Sequence, residues 1–517
     1  MGCFASRQYI LIGPVIGLVT HNSARVLVEF SEDGVIEANL NTDTISHTCT
    51  IKVKSNIATV FKFSNLDPET RYTFNIPSLN QQLNSSFKTL STNLTNKPFK
   101  VAVAGCDDLR FNQQLGENSL YYDIEKRAKK GDLDLIIHNG DQIYIDHKEQ
   151  QNDPSHRNIF NECLEIIKNK DPSQWQYFYD DIISKMKELY RSTWSGKVAE
   201  AMANCPNLMM YDDHEIHNNF GYKESYNDLS KPDSYICSCA RRVYYEYQRQ
   251  LREDIDFIDF QNVTSDYWSC ILNGVGFYFL DHRGSRSWYK DPKDNNFFGK
   301  PQLKDFESCL REKFASCAIV IVLCTNPLVL HTETESKNGG EIEEFIYNDV
   351  KGYEKFLNML HTHKQVNKQE VFLLGGDLHV GGHTEIYKNG NAAFKQLVTS
   401  GVGQHTKESL KKYAKAVLAQ TDKTLPGGFS FNHHDWTHNR NYAILDLKVV
   451  DNYPIIDSYL TISDIDINHT MMNVISNKSY LLDSQYDYKQ FTNTARNSLN
   501  NKVNYIFNKL RFKLWKK

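Results

Sequence analysis

No apolar run in this 517-residue chain approaches the roughly 18 residues that span a bilayer, and its first residues lack the apolar stretch of a secretory leader. A membrane-spanning protein is not expected. Neither sign of charge dominates: 59 basic residues face 63 acidic ones, a formal net charge of −4, which excludes a globally basic nucleic-acid binder and an acidic tail protein. The 11 cysteines, scattered from Cys3 to Cys324, form no CxxC pair, so neither a disulfide framework nor a zinc ribbon is expected and a reducing, cytoplasmic setting suits the chain. There is no G-x-x-x-x-G-K-[ST] for P-loop nucleotide binding, and His214-Glu215-Ile216-His217 is one residue short of HExxH. What the chain does hold is 40% hydrophobic residues, with aromatics at 12%, ample for the two to four domains that about 150 residues per domain suggests.

The texture changes along the chain. Residues 9–97 read as short strands (Ile10 to Ile12, Gly17 to Val19, Ala24 to Phe30) separated by turns at Glu32-Asp33-Gly34 and Asn65-Leu66-Asp67-Pro68, which predicts a small all-β sandwich of immunoglobulin or fibronectin type. Residues 98–450 alternate short apolar runs (Val101 to Gly105, Leu133 to His138, Val371 to Leu374) with helical periodicity at Ser119 to Lys130 and Trp175 to Tyr190. That is the pattern of an α/β layered domain, in which ligands gather beyond the strand ends. A late strand is expected at Asn439 to Val450, and residues 451–517 read as a polar C-terminal extension.

Both ends suggest a membrane surface. Met1-Gly2-Cys3-Phe4-Ala5-Ser6 fits the N-myristoylation pattern at Gly2, with Cys3 placed for palmitoylation, so residues 1–8 are expected to form an acylated segment. One myristoyl chain binds membranes only marginally, so a second acyl chain or a basic patch is needed. Beyond Asp487 the chain has no acidic residue, and Val503, Ile506, Phe507, Leu510 and Leu514 recur at helical spacing beside eight basic residues. This tail is expected to be a basic amphipathic helix, and an ordinary packed terminal helix fits the pattern equally well.

Four clusters follow apolar runs: Gly105-Cys106-Asp107-Asp108, Asn139-Gly140-Asp141-Gln142-Ile143-Tyr144, Asp212-Asp213-His214-Glu215 and Gly376-Asp377-Leu378-His379. One aspartate after a strand is usually a turn or a cap. Four such clusters would bring carboxylates together, and they would repel one another unless cations sat between them; a two-metal centre meets that need.

These motifs, with Leu280-Asp281-His282-Arg283, Arg286 and Gln302 in order after them, resemble the PhoD-like alkaline phosphatases and phosphodiesterases, a branch of the binuclear metallophosphatases. The resemblance implies a two-sheet α/β sandwich as catalytic domain over 98–450, preceded by a β-sandwich. It implies hydrolysis of phosphomonoesters or phosphodiesters by a metal-bound hydroxide at a binuclear or multinuclear centre. Asp141 would bridge the metals, Cys106 and Tyr144 would bind Fe³⁺, Asp213 would bind the second metal, a divalent ion (Ca²⁺, Zn²⁺ or Mn²⁺), and Asp377 and His379 would complete the coordination of one metal or the other. His214 would face the substrate as a proton donor, oriented by Asp212 or Glu215, and Arg283, with Arg286, would clamp phosphate oxygens. His282 departs from the family's usual threonine. His383, Glu385, His433, His434 and His438 are candidates to replace the absent Gly-His-x-His. The resulting expectation is a phosphoesterase tethered to the cytoplasmic face of a membrane. The contrasting reading, a catalytically silent, lipid-anchored phosphate-binding or scaffold protein on the same fold, is disfavoured because every expected ligand type survives.

Overall fold

The computed structural model describes residues 9–477 apart from 80–82, 95–96, 110–111, 113–114, 147–156, 222–227, 229, 257–265, 287–295, 335–345, 405–407 and 464–471. The expected acylated segment with Gly2 and Cys3, and the expected basic tail, lie outside the described residues. No helix among the described residues is long and apolar enough to cross a membrane.

The first seven strands are β1 (Ile10–Val19), β2 (Ser23–Phe30), β3 (Gly34–Asn41), β4 (Ser46–Val53), β5 (Ala58–Ser64), β6 (Arg71–Asn75) and β7 (Ser86–Lys88). They form two antiparallel sheets, β1-β2-β5 and β4-β3-β6-β7, around one apolar cluster that includes Val26, Val28, Phe30, Leu40, Phe61 and Phe74. The two short strands read at Ile10 and Gly17 are halves of β1, whose pairing with β2 is interrupted by bulges. On β2 both faces are buried: Leu27, between the inward residues Val26 and Val28, packs into the core of the following α/β region, and Glu29 is 0% exposed. Alternation alone would send Leu27 and Glu29 to solvent.

Next come β8 (Phe99–Ala104), α1 (Tyr121–Lys130), β9 (Leu135–Asn139), α2 (Ile159–Ile167), α3 (Tyr179–Thr193), α4 (Gly196–Met202), β10 (Asn207–Met210) and α5 (Pro232–Tyr247). They are followed by β11 (Trp268–Leu272), β12 (Val275–Leu280), α6 (Lys300–Ser308), β13 (Ile319–Cys324), α7 (Val350–Asn367), β14 (Glu370–Gly375), β15 (Gly381–Lys388) and β16 (Asn391–Val398). The last described elements are α8 (Glu408–Leu418), β17 (Thr424–Leu425), β18 (Phe429–Thr437), β19 (Arg440–Val450), β20 (Tyr453–Ser463) and β21 (Met472–Asn477).

These strands build a six-stranded sheet, β10-β9-β8-β19-β20-β21, and an eight-stranded one, β11-β12-β13-β14-β16-β15-β18-β17. One apolar cluster joins the two: Val101, Val103, Leu135, Ile137 and Leu445 of the first meet Phe277, Phe279, Ile321, Leu323 and Leu374 of the second. Helices cover the outer faces through two further clusters. The strands are buried on both faces, which is why they read as continuous apolar runs without alternation. The boundary expected at residue 450 falls inside a hairpin, because β20 pairs with β19 along its whole length, from Tyr453 opposite Val450 to Ser463 opposite Arg440. Strands β8, β9 and β10 run parallel, as do β12, β13, β14 and β16, so the loops after their carboxyl ends share one edge of the layers.

Candidate metal centre

The loops after β8, β9, β10 and β14 bring the expected ligand types together at that edge. Three overlapping groups place their donor atoms within 4.8 Å of one another: Cys106, Asp141 and His379; Asp141, Asp213 and His214; and Asp141, Asp212, Asp213 and Asp377. Asp141 belongs to all three. Tyr144, predicted at the same site, donates its hydroxyl to Oδ2 of Asp141 at 3.2 Å, and its oxygen lies 3.3 Å from Nε2 of His379.

The backbone that presents these side chains is strained. Cys106 (φ 56°), Asp141 (φ 56°), Asp377 (φ 64°) and His379 (φ 55°) all occupy the left-handed region, where a non-glycine residue costs energy and persists only when its surroundings demand it. The loops hold one another in place: the amides of Cys106 and Asp107 donate to the carbonyls of Gly140 and Asp141. Gly140 (φ 87°) admits the close approach, because a Cβ there would lie 2.7 Å from that of Asp212 and 2.9 Å from Cγ2 of Thr325.

The donor set fits bound cations. Burial and the surrounding carboxylates, Asp141 first, push the Cys106 thiol well above its ordinary pKa. Burial and then Asp141 do the same to the Tyr144 phenol. Asp141 is also raised, first by burial and then by Asp213, Asp212 and Glu215, against the opposing pull of His214. Oδ1 of Asp213 is buried with no hydrogen bond from the described residues and meets the Arg283 guanidinium as an ion pair at 3.3 Å. At Cys106, Tyr144 and Asp141 the protein groups alone therefore disfavour the anionic forms that coordinate metal, and a cation placed among them reverses that balance.

A family comparison decides the lineage. The profile of the PhoD-like phosphatases matches residues 101–449. The chain belongs to the PhoD-like phosphatase family. A solved structure of PhoD aligns over 100% of both chains with a TM-score of 0.62 at 14% identity, a likeness that shows the fold. A second solved structure, from Bacteroides fragilis and named for a beta-galactosidase, covers 87% of this chain and 72% of its own at 8% identity; its TM-score of 0.21 carries no argument. No curated protein matches. As a PhoD-like phosphatase the chain is a metal-dependent phosphoester hydrolase by family.

Within this PhoD-like site several expected roles change. His214 was expected to be oriented by Asp212 or Glu215. Its Nδ1 instead lies 2.7 Å from Oδ1 of Asp146, a residue just past the sequence motif, and its ring stacks on Tyr144 at 4.4 Å. Asp146 also accepts the amide of Asn218, and its side chain is 4% exposed. Burial opposes both charges, yet each stabilises the other: Asp146 sits below and His214 well above its ordinary pKa. The only sequence signal for Asp146 was its nearness to Tyr144, because a contact across 68 residues leaves no spacing rule.

Asp212 and Glu215 are occupied elsewhere. Arg283, expected as a phosphate clamp, is 1% exposed and grips Asp212 as a fork, Nε to Oδ1 at 2.7 Å and Nη2 to Oδ2 at 3.0 Å. Thr325 donates to the same carboxylate at 2.6 Å. Burial would raise the Asp212 carboxyl, but Arg283 holds it well below the usual carboxylate range. The guanidinium also reaches within 3.3 Å of Asp213 and 3.9 Å of Asp377, so it spaces the acidic cluster. Arg286 donates to the carbonyl of Gly221 at 2.7 Å. Glu215 accepts the amides of Asp141, Gln142 and Asp212 at 3.2, 2.8 and 2.9 Å.

Asp281 and Gln302 are structural as well: Gln302 accepts the amide of Asp281 at 2.8 Å and donates to its carbonyl at 3.2 Å. His282 is buried between Thr325 and Asn326 at 3.2 and 2.7 Å, and burial, with Arg283 beside it, pushes its pKa well below the ordinary value. None of the three donor groups includes His383, Glu385, His433, His434 or His438. His383 lies 3.2 Å from the hydroxyl of Ser458, and His433 is held between Thr384 and the carbonyl of Leu330, both at 2.9 Å.

Proposed function

We propose that the chain hydrolyses phosphomonoesters or phosphodiesters at a centre of two or more metals seated between the loops after β8, β9, β10 and β14. The observation that carries this reading is the sharing of Asp141 by all three donor groups, as expected of a bridging carboxylate. Asp141 would join the two positions; Cys106, Tyr144 and His379 would hold one cation, and Asp213 and Asp377 the other. The phenol and thiol favour Fe³⁺ at the first position, a cation acidic enough to ionise them, and leave a divalent ion (Ca²⁺, Zn²⁺ or Mn²⁺) for the carboxylate-rich second. Bound cations would supply charge neutralisation for the transferring phosphoryl group and a water acidic enough to attack it.

The chain's own residues do the rest. With Nδ1 of His214 held by Asp146, Nε2 remains to carry a proton to the leaving oxygen, and the neighbouring carboxylates keep the ring protonated near neutral pH. Stacking on Tyr144 fixes the plane of the ring. Arg283 keeps Asp212 ionised and apart from Asp213, so the acidic cluster is held in place before substrate arrives.

Hydrolysis of chromogenic monoesters and diesters by the pure protein, before and after chelation, tests the reading; activity that survives complete metal removal would sink it. A visible charge-transfer band would identify iron bound to thiolate or phenolate, whereas the divalent ions would leave the protein nearly colourless. The N-terminal β unit is taken as an immunoglobulin- or fibronectin-type domain over residues 9–97. On the sequence alone, Gly2 and Cys3 are proposed acylation sites that would tether the enzyme to the cytoplasmic face of a membrane; mass analysis of the native N-terminus that found no acyl chain would end that part of the proposal.

A further inference from the structure

We propose that Glu215, Gln248 and Tyr247 are positioning residues through which the N-terminal β unit braces the loops of the metal centre. Glu215 is the inner link. It lies on the loop after β10, is 1% exposed, and its two oxygens accept the amides of Asp141 and Gln142 from one ligand loop and of Asp212 from the other. A single carboxylate thereby ties together the backbones of two of the three loops that carry the acidic candidate ligands. Among the described residues Nε2 of Gln248 also donates to Glu215, at 3.3 Å, and the same amide nitrogen donates to the hydroxyl of Tyr190 at 3.1 Å.

Gln248 immediately follows α5, and the two residues before it face the other way. Tyr247 donates its hydroxyl to Glu29 of β2 at 2.8 Å and stacks on Tyr190 at 4.6 Å with an interplanar angle of 16°. Glu246 accepts the amide of Ala58 on β5 at 2.9 Å and is held by Lys187 and Arg242, each at 2.7 Å. Glu29 is also gripped by Arg191 through Nη2 at 2.6 Å. Glu29 and Glu246 are both 0% exposed, so these contacts lie in a dry seam where hydrogen-bond geometry is stiff and a missing partner is costly. Three consecutive residues, 246 to 248, thus connect the first sheet of the N-terminal unit to the carboxylate that fixes the Asp141 and Asp212 backbones. The sequence text around Tyr190, Arg191 and Trp194, which carries no chemistry of its own, belongs to this brace: Trp194 packs edge-on against both Tyr190 and Tyr247.

The coupling concerns backbone geometry and stands apart from the hydrolase reading, whereas its consequence for metal retention rests on that reading. Amide hydrogen exchange in the full-length protein separates the two. Replacing Gln248 by Met keeps its volume and removes the donor to Glu215; Tyr247→Phe removes only the hydroxyl that reaches Glu29. Peptides covering residues 139–145 and 210–216 are expected to exchange about tenfold faster in Gln248→Met, with a smaller rise in Tyr247→Phe, while peptides from β12 and β13 stay as in the parent. Unchanged exchange at both loops overturns the proposal, and so does an equal rise throughout the chain. If Gln248→Met does not fold, Tyr247→Phe decides alone. In parallel, retention of metal against a chelator is expected to fall by about 10- to 100-fold in the variants, the usual cost of losing a supporting contact. A parent protein that holds no metal would overturn the hydrolase reading and leave the exchange result to judge the brace.

Discussion

Oδ1 of Asp146 lies 2.7 Å from Nδ1 of His214, and the pair joins two loops 68 residues apart in the chain. A histidine held in this way has one tautomer and one orientation, which makes it a competent proton donor. Replacing Asp146 by Asn keeps the shape and removes the charge that favours the protonated ring. The expected loss in kcat is about 10²-fold or more for substrates with poor leaving groups and small for activated aryl esters, since the proton matters most where the leaving oxygen is basic. A loss that is equal across a series of leaving groups would rule out this role.

Asp141→Asn removes the one carboxylate common to all three donor groups. Metal analysis of the purified variant should show loss of more than one ion per chain, because a bridging group serves both positions; activity should fall with it. Full metal content in the variant would show that Asp141 does not bridge.

Arg283→Met separates a clamp on substrate from a clamp on the protein. The substitution would leave Asp212, itself 1% exposed, buried beside Asp213 without its cation. Breaking a buried pair in this way costs about 3–5 kcal/mol, so urea unfolding should show a large fall in stability. Normal stability combined with a raised KM would instead restore the role of phosphate clamp.

Acid sensitivity should come from buried neutral histidines. Burial, the leading cause in each case, lowers His138, His383 and His433 to about 4 from the ordinary histidine value of 6.5. Between those values the unfolded chain binds protons that the folded chain does not, so stability is full above pH 6.5 and declines as the pH falls toward 4. Each histidine contributes on the order of 1–3 kcal/mol to that decline. Unfolding midpoints measured from pH 7 to pH 4 test this, and His138→Gln should flatten the curve; an unchanged slope in the variant would count against it.

Much of the candidate site was legible because each ligand type sits immediately after an apolar run, and strand ends in layered α/β folds converge. The clusters that hold Cys106, Asp141, Tyr144, Asp213, His214, Asp377 and His379 stand out in such local text, and the resemblance to the PhoD-like family is what assigns these residues their roles. The supporting contacts could not. Asp146 to His214, Arg283 to Asp212 and Gln248 to Glu215 are pairings across loops, and nothing in local spacing records which carboxylate a buried cation or amide will meet. The strand β20 escaped for a related reason: its sequence is unremarkable as text and becomes a strand by pairing with β19.

The sequence by itself determined the layered α/β class, the all-β start, and the loops that carry cysteine, carboxylate, phenol and imidazole, because periodicity and apolar runs are local properties. Only the tertiary structure decided how the acidic residues divide their labour. Asp141 is shared among the donor groups, Asp212 is neutralised by Arg283, Asp146 holds His214, and Glu215 binds backbone amides. In a buried cluster a carboxylate's role follows from whichever donor or cation lies within about 3 Å, and those neighbours come from distant parts of the chain.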